Sequence, residues 1–314
     1  MLGRTAGGLT WMNRYIERAE NTARLVETGL RMSLTRRDDA PSEWAAVVTS
    51  SGVSGSFEAR HGPSYDADHV VDFLLRDPDN PSSAISAVRA ARENARGVRT
   101  ALTREVWEAV NECWLDMSKA LARPIDETDL PDLLDRLRRH GSLVRGALIG
   151  TMLRNAAFHF SRLGVALERA DNTARILDVK YHVLLPKAAD VGGPLDTAQW
   201  EQLLYAVHVR RAYLTEHGAE FTADRVAEFL ILNPRMPRSL VFCAAFAADR
   251  IRALANEFGD RPAILDRAEA LEARLRDYSV DDLFRIGLHE VVTGVIDEVS
   301  GLSDDLASTY RFTA

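Results

Sequence analysis

Apolar positions along this chain recur at the three-to-four-residue spacing of a helix almost throughout. Trp11, Met12, Tyr15, Ile16, Ala19, Ala23, Val26 and Leu30 mark one face of a helix over about 9–34. Leu163, Leu167, Ala170, Ala174, Leu177 and Tyr181 mark a second over about 156–184, closed by Pro186. The same pattern predicts helices near 42–60 and 197–217. The first of these carries the run TSSGVSG at 49–55, which favours a kink or a close approach. Short helices at 66–76 and 223–232 end before the proline turns DPDNP and NPRMP. Ser82, Ser83 and Ser239 are placed to cap long helices near 82–102 and 238–258. Further helices are expected near 104–122, 129–139, 143–154, 262–276, 280–300 and 302–310. No segment alternates with the period of a strand, so the fold class is all-α, a helical bundle.

The chain also resembles itself. ERAENTARL at 17–25 returns as ERADNTARI at 168–176, with seven of nine positions identical. VVDFLLRDPDNPSS at 70–83 returns as VAEFLILNPRMPRS at 226–239, and Trp44/Trp200, His61/His217 and Gly62/Gly218 keep that second spacing. The order of the blocks is the same both times. The reading is a duplication, with halves 1–145 and 146–314 packed as one body about a pseudo-twofold axis. The spacing grows from 151 to 156 residues between the blocks, and the loop at 185–194 has room for the extra five.

The repeated block concentrates polar groups on one face. Glu17, Glu20, Asn21 and Arg24 fall at i, i+3, i+4 and i+7, and Glu168, Asp171, Asn172 and Arg175 do the same. Arg18 and Arg169 sit beside the stripe, which lies roughly opposite the apolar face. A freely solvated face has no reason to keep residue identities in both copies, so each group is expected to have a specific partner. Two arrangements meet that demand. In one, the stripes form a partly buried polar seam in which Glu and Arg pair. In the other, they line a cleft in which Arg24 and Arg175 clamp a carboxylate or phosphate. In that cleft Glu17 and Glu168 hold an ammonium group or act as acid and base.

Composition narrows the chemistry. With 46 acidic against 39 basic residues the chain carries a net charge of −7, which argues against a general nucleic-acid binder. The basic residues are nearly all Arg, since only Lys119, Lys180 and Lys187 are lysines. No apolar run is long enough to span a membrane, and residues 1–9 lack a signal-peptide core, so a cytoplasmic protein is expected. Cys113 and Cys243 make neither a disulfide framework nor a zinc site and read as buried thiols. Glu17-x-x-Glu20 and Glu168-x-x-Asp171 lack the histidine of di-metal bundles, so no metal is expected. His61 and His217 read as helix-end residues, His182 with Lys180 as packing, and His289-Glu290 lacks a second metal-binding His. There is no phosphate-binding Walker loop, GxSxG elbow or GxGxxG turn, and no cofactor is expected.

The segments MLGRTAGGLTWMNRYIERAENTARLVE and FSRLGVALERADNTARILDVKYHVLLP resemble the alpha-E family of bacterial helical domains, whose Glu-Arg motif falls on Glu17-Arg18 and Glu168-Arg169. The second block departs from the family pattern at His159-Phe160 and Val165-Ala166, which implies an altered second-half site. The resemblance further implies a place beside a circularly permuted ATP-grasp ligase and a transglutaminase-like protein, in systems that form and cleave amide or peptide bonds. An accessory or processing component is then expected. A stand-alone enzyme with paired carboxylates and a non-catalytic helical scaffold stay open as alternatives.

Overall fold

The computed structural model describes residues 2–33, 43–182 and 192–312. Among them the regular structure is helical, with no strand. Two long helices, α1 (Gly3–Ser33) and α8 (Ala156–His182), form the centre. Contacts along them advance together. The Thr10 hydroxyl donates to the Phe160 carbonyl at 3.3 Å, Arg14 meets Glu168, Arg169 meets Glu17, and Met32 packs against Val179. The two helices therefore run side by side and parallel. Gly164 makes the approach possible, because a Cβ there would collide with the Thr10 carbonyl oxygen.

Shorter helices surround this pair. After α1 come α2 (Glu43–Ser50), α3 (Ser54–His61), α4 (Ala67–Leu75), α5 (Ala84–Gly97), α6 (Arg104–Ala120) and α7 (Leu130–Thr151). After α8 come α9 (Pro194–Ala206), α10 (Arg210–His217), α11 (Ala223–Ala227) with a π-helical turn at Glu228–Leu232, α12 (Leu240–Phe258), α13 (Ala263–Asp277), α14 (Val280–Ile286) and α15 (Leu288–Thr309). Helices α5 and α7 pack on α1 with α6 bridging them, and α12 and α15 pack on α8 with α13 bridging them. Among the described residues the main hydrophobic core runs from Ala6 to Phe312 through the helices around α1 and those around α8.

Local geometry recurs at the matching sequence blocks. The Ser83 hydroxyl donates to the Asp77 carbonyl at 2.7 Å and accepts from the Ser86 amide; Ser239 donates to Asn233 at 2.6 Å and accepts from Phe242. Both serines are thus true N-caps, each tied to the preceding proline turn. His61 stacks on Phe57 and His217 on Tyr213, each with ring centres 4.9 Å apart, and the edges of both histidines meet Phe73 and Phe229. Gly62 and Gly218, at φ 76° and 73°, end α3 and α10 in the backbone region that disfavours side chains.

Several expected boundaries shift. The helices expected at 42–60 and 197–217 each break in two, the first at Ser51–Val53 within TSSGVSG, the second at Val207–Val209, where His208 takes φ 56°. The helices expected at 129–139 and 143–154 are one, because Gly141 is buried inside α7 without ending it. Residues 145 and 146 both lie within that helix. The C-terminal break falls at Gly287 (φ 108°), not near residue 301, leaving α15 continuous. Pro186, Lys187 and most of the 185–194 loop lie outside the described residues, as does the side chain of His182. Both cysteines are buried and free, and burial pushes each thiol up to about 12. Among the described residues no helix is long and apolar enough to cross a membrane.

Candidate functional site

The polar stripe of α1 is not a solvated face. Helix α1 is covered by α2, α4, α5, α7, α8 and α9, so Glu17, Glu20, Asn21, Thr22 and Arg24 are all buried opposite an equally buried apolar face. Burying charge costs free energy unless it is paired and hydrogen-bonded, and the pairing here runs across the α1–α8 contact. Arg169 of α8 forks onto Glu17, Nε to Oε1 at 3.0 Å and Nη2 to Oε2 at 3.2 Å. Arg18 of α1 forks onto Glu168, Nε to Oε1 at 2.6 Å and Nη2 to Oε2 at 3.0 Å. Each Glu-Arg dipeptide thus gives its acid to the other helix's base and its base to the other helix's acid. Two bidentate bridges, the strong form of the Arg-carboxylate bond, clasp the helices crosswise.

Around Glu17 the cluster grows. Arg238, from the turn before α12, donates to Oε1 at 2.7 Å; Arg145 of α7 donates to Oε2 at 3.3 Å; Arg24 lies 3.8 Å away. Arg145 and Arg24 also pair with Glu20. The Asn21 oxygen accepts from Arg24 at 2.9 Å and from Arg238 at 3.2 Å. Thr173 anchors the same turn by donating to the Arg238 carbonyl at 2.9 Å. Burial alone would raise the Glu17 carboxyl, but Arg169, Arg238, Arg145 and Arg24 hold it well below the usual carboxylate range.

Around Glu168 the arrangement is leaner. Arg14 adds one bond, Nε to Oε2 at 2.9 Å, and donates onward to the Ser303 hydroxyl at 3.0 Å. The guanidiniums of Arg14 and Arg18 face the rings of Trp11 and Tyr15. Burial opposes ionisation of Glu168, and the charges of Arg18 and Arg14 overcome it and lower its pKa. Among the described residues Asp171 and Arg175 pair only with each other, one turn apart, at 2.8 and 3.1 Å. Asn172 is buried and its oxygen accepts no hydrogen bond. Arg24 and Arg175 each bond within their own helix, so their guanidiniums are not arranged as one clamp.

The chemistry open to this arrangement is limited by saturation. A general acid or base must reach the substrate proton at hydrogen-bond distance. Both oxygens of Glu17 and of Glu168 are occupied by guanidinium donors, and both carboxyls stay ionised at neutral pH. Two surface hollows among the described residues lie elsewhere. One of about 420 Å³ is lined by Tyr278, Ile286, Glu290 and Asp297, and one of about 370 Å³ by Arg4, Trp11, Glu93 and Phe312. No group of three His, Cys, Asp or Glu residues among the described ones is placed to hold a metal.

Three arginines of the seam escaped the repeat. Arg238 stands where the earlier matching block has Ser82, Arg145 lies in no matching block, and Arg14 aligns with Val165. Only the unusual arginine content hinted at them.

A match to the Alpha-E family, described as a predicted alpha-helical domain with a conserved ER motif, covers residues 1–310. This chain belongs to the Alpha-E family. The two ER dipeptides of the chain are the ones that cross-pair between α1 and α8. It is also similar to an uncharacterised protein of Mycobacterium bovis and to one of Mycobacterium tuberculosis strain CDC 1551, each 24% identical over 332 residues. A third, from strain H37Rv, is 23% identical. Each alignment covers 98% of this chain but 36% of the relative, so the chain spans about a third of the length of the curated relatives it matches. No solved structure matches it.

Proposed function

We propose that this chain is a non-catalytic accessory component of an ATP-grasp amide- or peptide-ligase system, acting in the cytoplasm. In this reading the Glu-Arg seam sets the shape that a ligase or a transglutaminase-like partner recognises. The observation that carries the non-catalytic part is the crosswise clasp. Both of its carboxylates are buried, and each is engaged at both oxygens by guanidinium donors. The resemblance to Alpha-E proteins supplies the ligase partner. Relatives in which the matching region is about a third of a longer chain fit a module that works beside further domains.

The reading includes origin by duplication, with halves 1–145 and 146–314 about a pseudo-twofold axis lying between α1 and α8. Exchange of Glu17–Arg169 for Arg18–Glu168 supports it, because a twofold axis makes every contact occur twice with roles reversed.

Co-expression with an ATP-grasp ligase of the same genome tests the proposal. The expected result is co-elution in gel filtration and ligase turnover that depends on the added chain. Folded Glu168→Gln should support that turnover to within about twofold. Separate elution with unaltered turnover would remove the ligase partnership. Loss of turnover by folded Glu168→Gln with the complex intact would restore the acid-base reading.

A further inference from the structure

The cluster around Glu17 does not neutralise itself. Glu17 and Glu20 bring two carboxylates, while Arg24, Arg145, Arg169 and Arg238 bring four guanidiniums. Arginine stays protonated at any physiological pH, so the excess of two positive charges is not relieved by losing protons. Burial, with repulsion from Arg238 and Arg145 only partly offset by Glu20 and Glu17, drags the Arg24 guanidinium down to about 9. Burial and the neighbouring Arg169 and Arg145 lower Arg238 as well, against the pull of Glu17 and Glu20. Two donors inside the cluster are idle: Asn21 Nδ2 and Arg24 Nε are buried without a hydrogen-bond partner, on residues 4% and 7% exposed.

The positive charge continues outward along α8. Arg162 stands two turns before Arg169 on the same face and forms no ion pair among the described residues. Burial and the nearby Arg169, Arg145 and Arg250 pull it down to about 10, with Glu17 opposing. Arg162 and Arg250 both lie over the ring of Phe246, at 5.0 and 4.9 Å from its centre. Stacking occupies the flat face of a guanidinium and leaves its N–H edge free to donate. Arg250 Nε has no partner, and neither does Nδ1 of buried His159, one turn before Arg162. This side is where solvent reaches the cluster: the side chains of Arg145 and Arg169 are 16% and 14% exposed, and Arg162, Phe246 and Arg250 are half-buried.

We propose that Arg145 of α7 and Arg169 of α8, together with Arg162 and Arg250 stacked on Phe246, bind the phosphate group of a small molecule. The charge decides between anions. A carboxylate would cancel one charge and offer two oxygens, whereas a phosphate brings about −1.5 to −2 at neutral pH and three acceptor oxygens. That matches the excess of two around Glu17, to which Arg162 and Arg250 add guanidiniums that form no ion pair among the described residues. None of these four arginines apart from Arg169 belongs to a repeated block, and the site stands whether or not a ligase is the partner.

Isothermal titration calorimetry on the full chain tests this. The probes are inorganic phosphate, pyrophosphate and adenosine monophosphate in chloride buffer of fixed ionic strength, with acetate as the carboxylate control. Saturable heat is expected with a phosphate probe and not with acetate. Arg162→Ala and Arg250→Ala, which break no ion pair among the described residues, should stay folded by circular dichroism and weaken binding at least tenfold. Arg104→Ala, on the exposed start of α6, should bind as the parent does. Tighter binding of the monophosphate than of free phosphate assigns the site to a phosphorylated metabolite, and the reverse order assigns it to phosphate itself. Absence of heat from all three probes overturns the proposal, as does equal binding of acetate. Undiminished binding by both folded variants overturns it too.

Discussion

The stripes on α1 and α8 are nearly the same sequence and occupy different surroundings. On α1 the carboxylates of Glu17 and Glu20 sit among four guanidiniums, with Arg145 arriving from α7 and Arg238 from the turn before α12. On α8, Glu168 has two guanidiniums, and Asp171 and Arg175 make a private pair with side chains 22% and 36% exposed. The shared part is the clasp, in which each helix supplies an acid and a base to the other. The unshared part comes from arginines that do not recur, since Arg238 stands opposite Ser82 and Arg145 lies in no repeated block. A repeated motif therefore specifies a pairing, while its environment decides how much that pairing is worth.

Acid should expose the shared part most strongly. Glu17 and Glu168 both have folded pKa values below their ordinary 4.5, so in the unfolded chain they bind protons at a higher pH than in the folded one. Their stabilisation is complete above about 4.5 and is lost as the pH falls through the folded values. Urea titrations between pH 7 and 3 should show stability dropping below about pH 4.5. A flat profile across that window would mean that the clasp does not stabilise the fold.

The unshared part is read by single substitutions. Glu17→Ala leaves four guanidiniums facing one carboxylate in the interior and should cost about 3–5 kcal/mol, measured by urea midpoint. Glu168→Ala strands only Arg14 and Arg18, and Arg18 already touches solvent, so a loss of about 1.5–3 kcal/mol is expected. Equal costs at the two sites would erase the contrast drawn above. Asp171→Ala removes a half-buried pair one helical turn long and should change stability by only about 0.5–1 kcal/mol. A cost comparable to that of Glu168→Ala would mean that Asp171 has a partner beyond Arg175.

Much of this was legible beforehand. The helical class, the serine caps and the matching blocks follow from local rules: apolar spacing, a hydroxyl before a helix, and proline after one. The stripe itself was visible because residue identities returned at fixed spacing. Gly141 misled the reading of α7, since a glycine buried in a helix looks locally like a stop. Arg14, Arg145 and Arg238 were invisible as partners, because each lies far along the chain from the acid it meets and none repeats.

The sequence alone determined the helices, their caps and the residues that had to find partners, because these depend on neighbours a few positions away. Tertiary structure decided which acid meets which base, that the stripe lies inside the bundle, and that one end holds more positive charge than negative. Those outcomes depend on side chains from distant helices sharing a space from which water is excluded. There a single uncompensated charge outweighs any local preference.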